Sequence, residues 1–174
     1  MPTTDILRLL TPETQAKALH MLDLCRSRGC DLLIYCTARS CAEQAKIYRA
    51  TRTLPEIQAK ARDLEARGLP FLAKVLMDVG PQSGPLGKHM TKAGPGESWH
   101  QYGMAFDGVP MVDGKPDWDG VGREWDVFGA AGAEAGLFGL SWERPHRQAQ
   151  PAPNPAKVYP AADLWELLGR AGAL

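Results

Sequence analysis

Ala18, Leu19, Leu22 and Cys25 recur at helical spacing behind Thr11-Pro12-Glu13. Threonine caps a helix well, proline fits its first position and an early acid complements its dipole. The pattern therefore predicts a helix from Thr11 that stops at Gly29. Asp31 to Thr37 is short and apolar and reads as a buried strand. Ser40 with Glu43, and Thr53 with Glu56, have capping-box spacing, which predicts helices to about Thr51 and to about Arg67. Gly68 breaks the second, and Leu69 to Val79 predicts another. The Gly- and Pro-rich stretch from Gly80 to Gly96 predicts a loop. Met104 to Val109 alternates as a strand does, and Val112-Asp113-Gly114-Lys115 is a hairpin turn. A helix over Arg123 to Ala135 and a short strand over Leu137 to Trp142 follow. Gln148 to Pro160 carries four prolines and reads as extended. A last helix is expected from Asp163 to Ala171.

The chain has 174 residues, 44% hydrophobic and 23% charged, enough to bury one domain's core. Twenty basic and twenty acidic side chains cancel, which argues against a chain-wide surface for nucleic acid. No apolar run approaches the roughly 20 residues that span a bilayer, so no membrane insertion is expected. The N-terminus lacks a charged leader with an apolar run behind it, and synthesis in the cytoplasm is the expectation. Arg39 to Lys92 holds ten basic against five acidic residues, a net of +5, whereas Glu97 to Glu143 holds two against nine, a net of −7. The second segment is either a solvated acidic face or one that draws a cation. Cys25, Cys30, Cys36 and Cys41 form no C-x-x-C pair, and reduced, partly buried thiols are expected of them.

Two histidines lie in unusual company. Ser98-Trp99-His100-Gln101-Tyr102-Gly103-Met104-Ala105-Phe106-Asp107 puts a histidine before a glycine-containing turn and an aspartate on the strand beyond it. Trp142-Glu143-Arg144-Pro145-His146 puts a carboxylate three residues before a second histidine. A catalytic zinc site needs three nitrogen or oxygen ligands and an open position for water. His100, Asp107 and His146 supply two imidazoles and one carboxylate, leaving Glu143 as a general base. Each residue alone is weak evidence.

Together they carry a resemblance. S-x-H-x-x-G-x-A-x-D, met at Ser98, His100, Gly103, Ala105 and Asp107, and E-x-P-H, met at Glu143, Pro145 and His146, resemble the M15 zinc peptidases of peptidoglycan. That family includes D-alanyl-D-alanine dipeptidases and carboxypeptidases and the L-alanyl-D-glutamate endopeptidases of phage endolysins. The block Thr37-Ala38-Arg39-Ser40, Glu43-Gln44-Ala45 and Tyr48 is similar to a third family segment. The resemblance implies one zinc ion per chain on His100, Asp107 and His146, with Glu143 as catalytic base. It implies that Arg39 stabilises the developing oxyanion or holds a substrate carboxylate. Gln44, Ser98, Trp99 and Trp142 are then candidates for binding substrate. Trp118 and Trp125 are expected in the core or a cleft wall, and neither His20 nor His89 is expected to bind metal.

The implied fold is α+β, a small antiparallel sheet carrying the site with helices packed on one side. Residues 1–150 would form the peptidase domain with a helical insertion at about 53–90, a wall, a lid or a surface decoration. Residues 151–174 would be a Pro-rich tail of the same domain. The expected activity is cleavage of L-alanyl-D-glutamate in the peptidoglycan stem by a monomeric phage or prophage endolysin, released by a separate permeabilising protein. D-alanyl-D-alanine carboxypeptidase or dipeptidase activity is the alternative. The rival from another class is a wall-binding module without catalysis, against which the retained Glu143 counts.

Overall fold

The computed structural model describes residues 3–79 and 90–174, and in it the local capping signals act where the sequence puts them. A short first helix, α1 (Thr3–Leu7), precedes α2 (Pro12–Ser27), whose N-cap is Thr11. Both capping boxes close reciprocally, Ser40 with Glu43 at the start of α3 (Cys41–Arg49) and Thr53 with Glu56 at the start of α4 (Leu54–Ala66). Further along come α5 (Pro70–Asp78), α6 (Arg123–Glu134) and α7 (Ala161–Arg170). The strands are β1 (Asp31–Cys36), β2 (Ala105–Val112), β3 (Lys115–Pro116), β4 (Phe138–Leu140) and β5 (Glu143–Gln148). The fold is mixed, with an antiparallel sheet of five strands, as expected.

Two compact units divide the chain. Met1–Ala38 and Gly103–Pro153 make a sheet unit with α1, α2, α6 and all five strands. The sheet runs β1-β2-β5-β4, with β3 closing a hairpin on β2. Asp113 and Gly114 turn that hairpin at φ of 49° and 73°, the left-handed pair that a two-residue turn of this kind requires. Met21, Cys25, Ile34, Phe106, Val109, Trp125, Phe128 and Leu137 form the core. Truncating Phe128 to alanine there should cost about 3–5 kcal/mol. Arg147 is buried beside this core, its guanidinium 4.1 Å from the Phe128 ring centre. Burial and then the Arg144 charge pull its pKa down to about 10.

Arg39–Tyr102 and Asn154–Leu174 make the second unit, which is helical. Ile57 and Leu64 of α4, Leu72 and Leu76 of α5, and Leu164 and Leu168 of α7 are buried. The C-terminal segment is integral to this unit. Cys41 N donates to Ala173 O at 2.7 Å, and the Tyr159 and Trp165 rings meet Trp99 and Phe71 edge-on.

Several elements depart from the expectations. The apolar face of α2 runs through Thr14, Ala18, Met21 and Cys25, and Leu19 is left exposed. Strand β5 lies where no strand was expected, between the short strand expected over Leu137 to Trp142 and the extended segment expected from Gln148. Its sequence, ERPHRQ, is almost wholly polar, and cross-strand pairing holds it. Trp125 is in the core but Trp118 is exposed, edge-on to Tyr35. His20 is exposed on α2. His89, with the expected loop over residues 80–89, lies outside the described residues. Among the described residues no helix is long and apolar enough to cross a membrane. All four cysteines are free thiols. Burial pushes Cys25 up to about 12 and Cys41 to about 11, which makes them poor nucleophiles.

Candidate metal centre

In the sheet unit the site is built by register. Asp107 of β2 and His146 of β5 are direct cross-strand partners, so their side chains leave the same face side by side. Both are buried. Glu143 lies three residues before His146, a spacing that in a regular strand would turn it to the other face. The β4–β5 ladder slips here: Gly139 pairs with Arg147, but the next residue, Leu140, pairs with Glu143. This bulge in β5 re-aims the glutamate, and Pro145 sits in it, where a missing N–H costs no ladder bond. One donor atom each of Asp107, Glu143 and His146 lies within 4.8 Å of the others.

The proton on His146 can be placed from its neighbours. Gln148 Nε2 donates to Gln150 O at 2.6 Å and to Ala152 O at 2.8 Å, which commits its amide hydrogens. Its Oε1 therefore faces His146 Nε2 as an acceptor, 3.0 Å away, and Nε2 carries the proton. In the neutral ring Nδ1 then presents its lone pair to Asp107 Oδ1 at 3.2 Å. Two acceptors so close repel one another unless a proton or a cation lies between them. The His146 nitrogen and the Asp107 carboxylate are donors that zinc accepts, and the Glu143 carboxylate lies close enough to act on a water beside them, so these residues fit the metal. Gln148 was not among the residues singled out from sequence. Its signal is the His-x-Gln spacing, which shares a face only once residues 143–148 are known to be a strand.

Gly103, the glycine of the first motif, has a physical reason. Its φ is +63°, and a Cβ there would lie 3.1 Å from Leu9 O. Its own carbonyl accepts from Thr11 N at 2.9 Å, tying the start of β2 to the cap of α2.

The helical unit brings together Arg39, Gln44 and His100. Arg39 N donates to His100 O at 3.1 Å, and Arg39 Nη1 donates to Gln44 Oε1 at 2.8 Å. Gln44 is buried and donates from Nε2 to Ala93 O at 2.8 Å. His100 is buried in a 3-10 turn, Trp99–Tyr102. Its approach from Thr91 has little regular structure and is held by side chains from α3 and α4 and their C-terminal ends. Arg52 donates to Thr91 O at 2.6 Å. Glu97, 4% exposed, accepts from Lys60 at 2.7 Å, Arg67 at 2.6 Å and Gly94 N at 2.8 Å. Burial works to raise its pKa, but these donors hold it below the usual carboxylate range. Helix α4 is thus a brace for the first motif. Gln101 Oε1 accepts from Ser98 N and Gly96 N. Trp99, expected in the core or a cleft wall, is 1% exposed and packs edge-on to Tyr102 and Tyr159 in a core position. Trp142, beside Glu143, is 66% exposed and free to meet a ligand.

A buried imidazole paired with an aspartate, and a glutamate turned to the same face by a bulge, is the kind of donor group on which metallopeptidases are built. Residues 7–150 match the family model described as VanY, D-alanyl-D-alanine carboxypeptidase, and the chain belongs to that family. It is accordingly a peptidase of the peptidoglycan-acting type, from a family that depends on metal. A comparison with curated proteins gave no match.

Proposed function

We propose that this protein is a zinc-dependent peptidase that removes the terminal residue at the D-alanyl-D-alanine bond of the peptidoglycan stem. The observation that carries the metal chemistry is the convergence of Asp107, Glu143 and His146 on one face of the sheet. The motif assigns His100 as the remaining ligand and Glu143 as the base. The family's described activity favours the terminal D-alanyl-D-alanine bond over the L-alanyl-D-glutamate bond of an endolysin.

Zinc, when bound, supplies an electrophile for the scissile carbonyl and lowers the pKa of water. Glu143 takes the proton from the attacking water and returns it to the leaving amine. Gln148 keeps the His146 ring turned with Nδ1 toward Asp107. Arg39, steadied by Gln44, donates to the carbonyl oxygen as charge builds on it, or clamps the terminal carboxylate of the stem. Trp142 offers an apolar wall beside the base.

Mass analysis of stem peptides digested by the zinc-loaded protein, with and without chelator, tests this reading. Release of free D-alanine that stops with chelator is expected. New L-alanine carboxyl and D-glutamate amino termini would reassign the bond to the endopeptidase type. Intact stems under every condition, with the protein still retained on cell walls, would favour the binding module.

A further inference from the structure

We propose that the sheet unit carries a second site, for a phosphate-class dianion, on the side of β5 that faces α6. It is separate from the metal centre and rests on a different observation. Arg147 follows His146 and points the other way, over Phe128 of α6. It is 7% exposed. Its Nη1 donates to Arg144 O at 3.0 Å and to His146 O at 2.6 Å, both neutral carbonyls. Among the described residues no carboxylate pairs with it. A buried cation without a counter-charge is costly, and such a group is ordinarily paired.

The backbone around it is cut away to admit it. A Cβ at Gly132 would lie 2.7 Å from Arg147 Nε, and one at Gly139 would lie 2.8 Å from Nη1. A guanidinium given this space also opens onto a cavity of about 360 Å³ between α6, β4 and β5. Arg144 and Ser141 line the same cavity. The nearest acid to Arg144 is Asp126 at 3.8 Å, a loose and half-exposed pair that leaves its fork available. Two guanidinium groups and a hydroxyl are donors arranged for a compact, doubly charged oxyanion. Their planar forks match the oxygen edges of a phosphate. The phosphate is either the free ion or the end group of a phosphorylated polyol.

The test uses the zinc-loaded protein at fixed ionic strength, titrated with inorganic phosphate and with glycerol phosphate. Melting temperature and calorimetric binding are followed. A saturable rise in melting temperature is expected with at least one of the two. Tighter binding of glycerol phosphate assigns the site to a polymer end, and equal binding to the free ion. Arg144→Gln, a change at a half-exposed side chain whose guanidinium also lies 5.7 Å from the Trp125 ring centre, should weaken binding by about tenfold or more, as loss of one charged hydrogen bond predicts. Arg147→Met should abolish it while melting no lower than the ligand-free wild type, because an uncompensated charge is removed. Stabilisation no greater than that given by chloride overturns the proposal, as does binding that is undiminished in Arg144→Gln and therefore belongs to the metal. A marked loss of stability in ligand-free Arg147→Met overturns it too, since Arg147 would then be only a structural tie between strands.

Discussion

The two units position their functional side chains by different means. In the sheet unit, Asp107 faces His146 because β2 and β5 pair in that register, and Glu143 joins them because β5 bulges. The backbone ladder does the placing, and the side chains are left to their chemistry. In the helical unit, the run from Thr91 to Ser98 has almost no ladder of its own. Gln44, Arg52, Lys60, Arg67 and Glu97 hold it instead. A point change in the sheet unit's site should therefore alter chemistry while sparing stability. A change among the braces should lower stability first.

The sharpest break of that contrast is Glu143→Gln. It should retain zinc and melt with the wild type, yet lose about two to four orders of magnitude in hydrolysis, the usual contribution of a positioned acid–base group. Metal content, a melting curve and release of D-alanine check it together. A variant that cleaves at the wild-type rate moves the base elsewhere, and one that melts far lower denies that the backbone alone holds the site.

Arg39→Lys probes the other unit at a residue proposed to act on substrate. Lysine keeps the charge but cannot reproduce a planar fork. Turnover should fall on the order of a hundredfold if the guanidinium stabilises the oxyanion, with the melting temperature unchanged. A rise in KM with kcat preserved would identify a carboxylate clamp instead. No change in either parameter would leave Arg39 as the residue ahead of the Ser40 cap and nothing more.

Gln148→Leu refines the account of the sheet unit. The leucine has similar bulk but cannot accept from His146 Nε2, so the ring loses the partner that fixes its tautomer. Zinc affinity, read by competition with a chromogenic chelator, should weaken by about 10- to 100-fold. The ring ¹⁵N shifts of His146 in the metal-free protein should show the Nε2-protonated form give way to a mixture. Wild-type affinity and an unchanged tautomer would mean that strand pairing alone orients the ring.

What could be read from the sequence follows the same division. The capping boxes at Ser40 and Thr53, the Asp113-Gly114 turn and the stop at Gly29 are local signals, complete within a few residues, and each lies where expected. Strand β5 was hidden because its code is not local. Arg147 and Gln148 are charged or polar yet buried, and they become strand residues only through β2 and β4 on either side. Gln148 was missed for that reason. Trp99 is a candidate for binding substrate on sequence because it neighbours His100, and the partner that draws it into the core, Tyr159, comes from the far end of the chain. The brace on Glu97 needed the same long reach, since Lys60 and Arg67 lie 37 and 30 residues away.

That brace gives the smallest expected effect and the one most specific to the helical unit. The Glu97 carboxylate is buried, and its donors keep its pKa below that of the unfolded chain, about 4.3. A depressed carboxylate adds stability that is fully present above the unfolded value and is lost as the pH falls through the folded one. The melting temperature of the wild type should thus decline steadily below about pH 4.5 as this group takes up its proton. Glu97→Gln removes the charge at every pH. At pH 7 it should cost about 1–3 kcal/mol, the worth of hydrogen bonds to a charged group. At roughly 2–4 °C per kcal/mol for a chain of this size, that is a fall of about 2–12 °C. The two proteins should converge only once the pH has fallen below the depressed folded value, because the wild-type carboxyl is then neutral as well. Melting curves from pH 3 to 7, set beside those of Glu143→Gln, decide the matter. A parallel offset that persists into acid would mean that amide packing, and not the ionised carboxylate, is what the variant has lost.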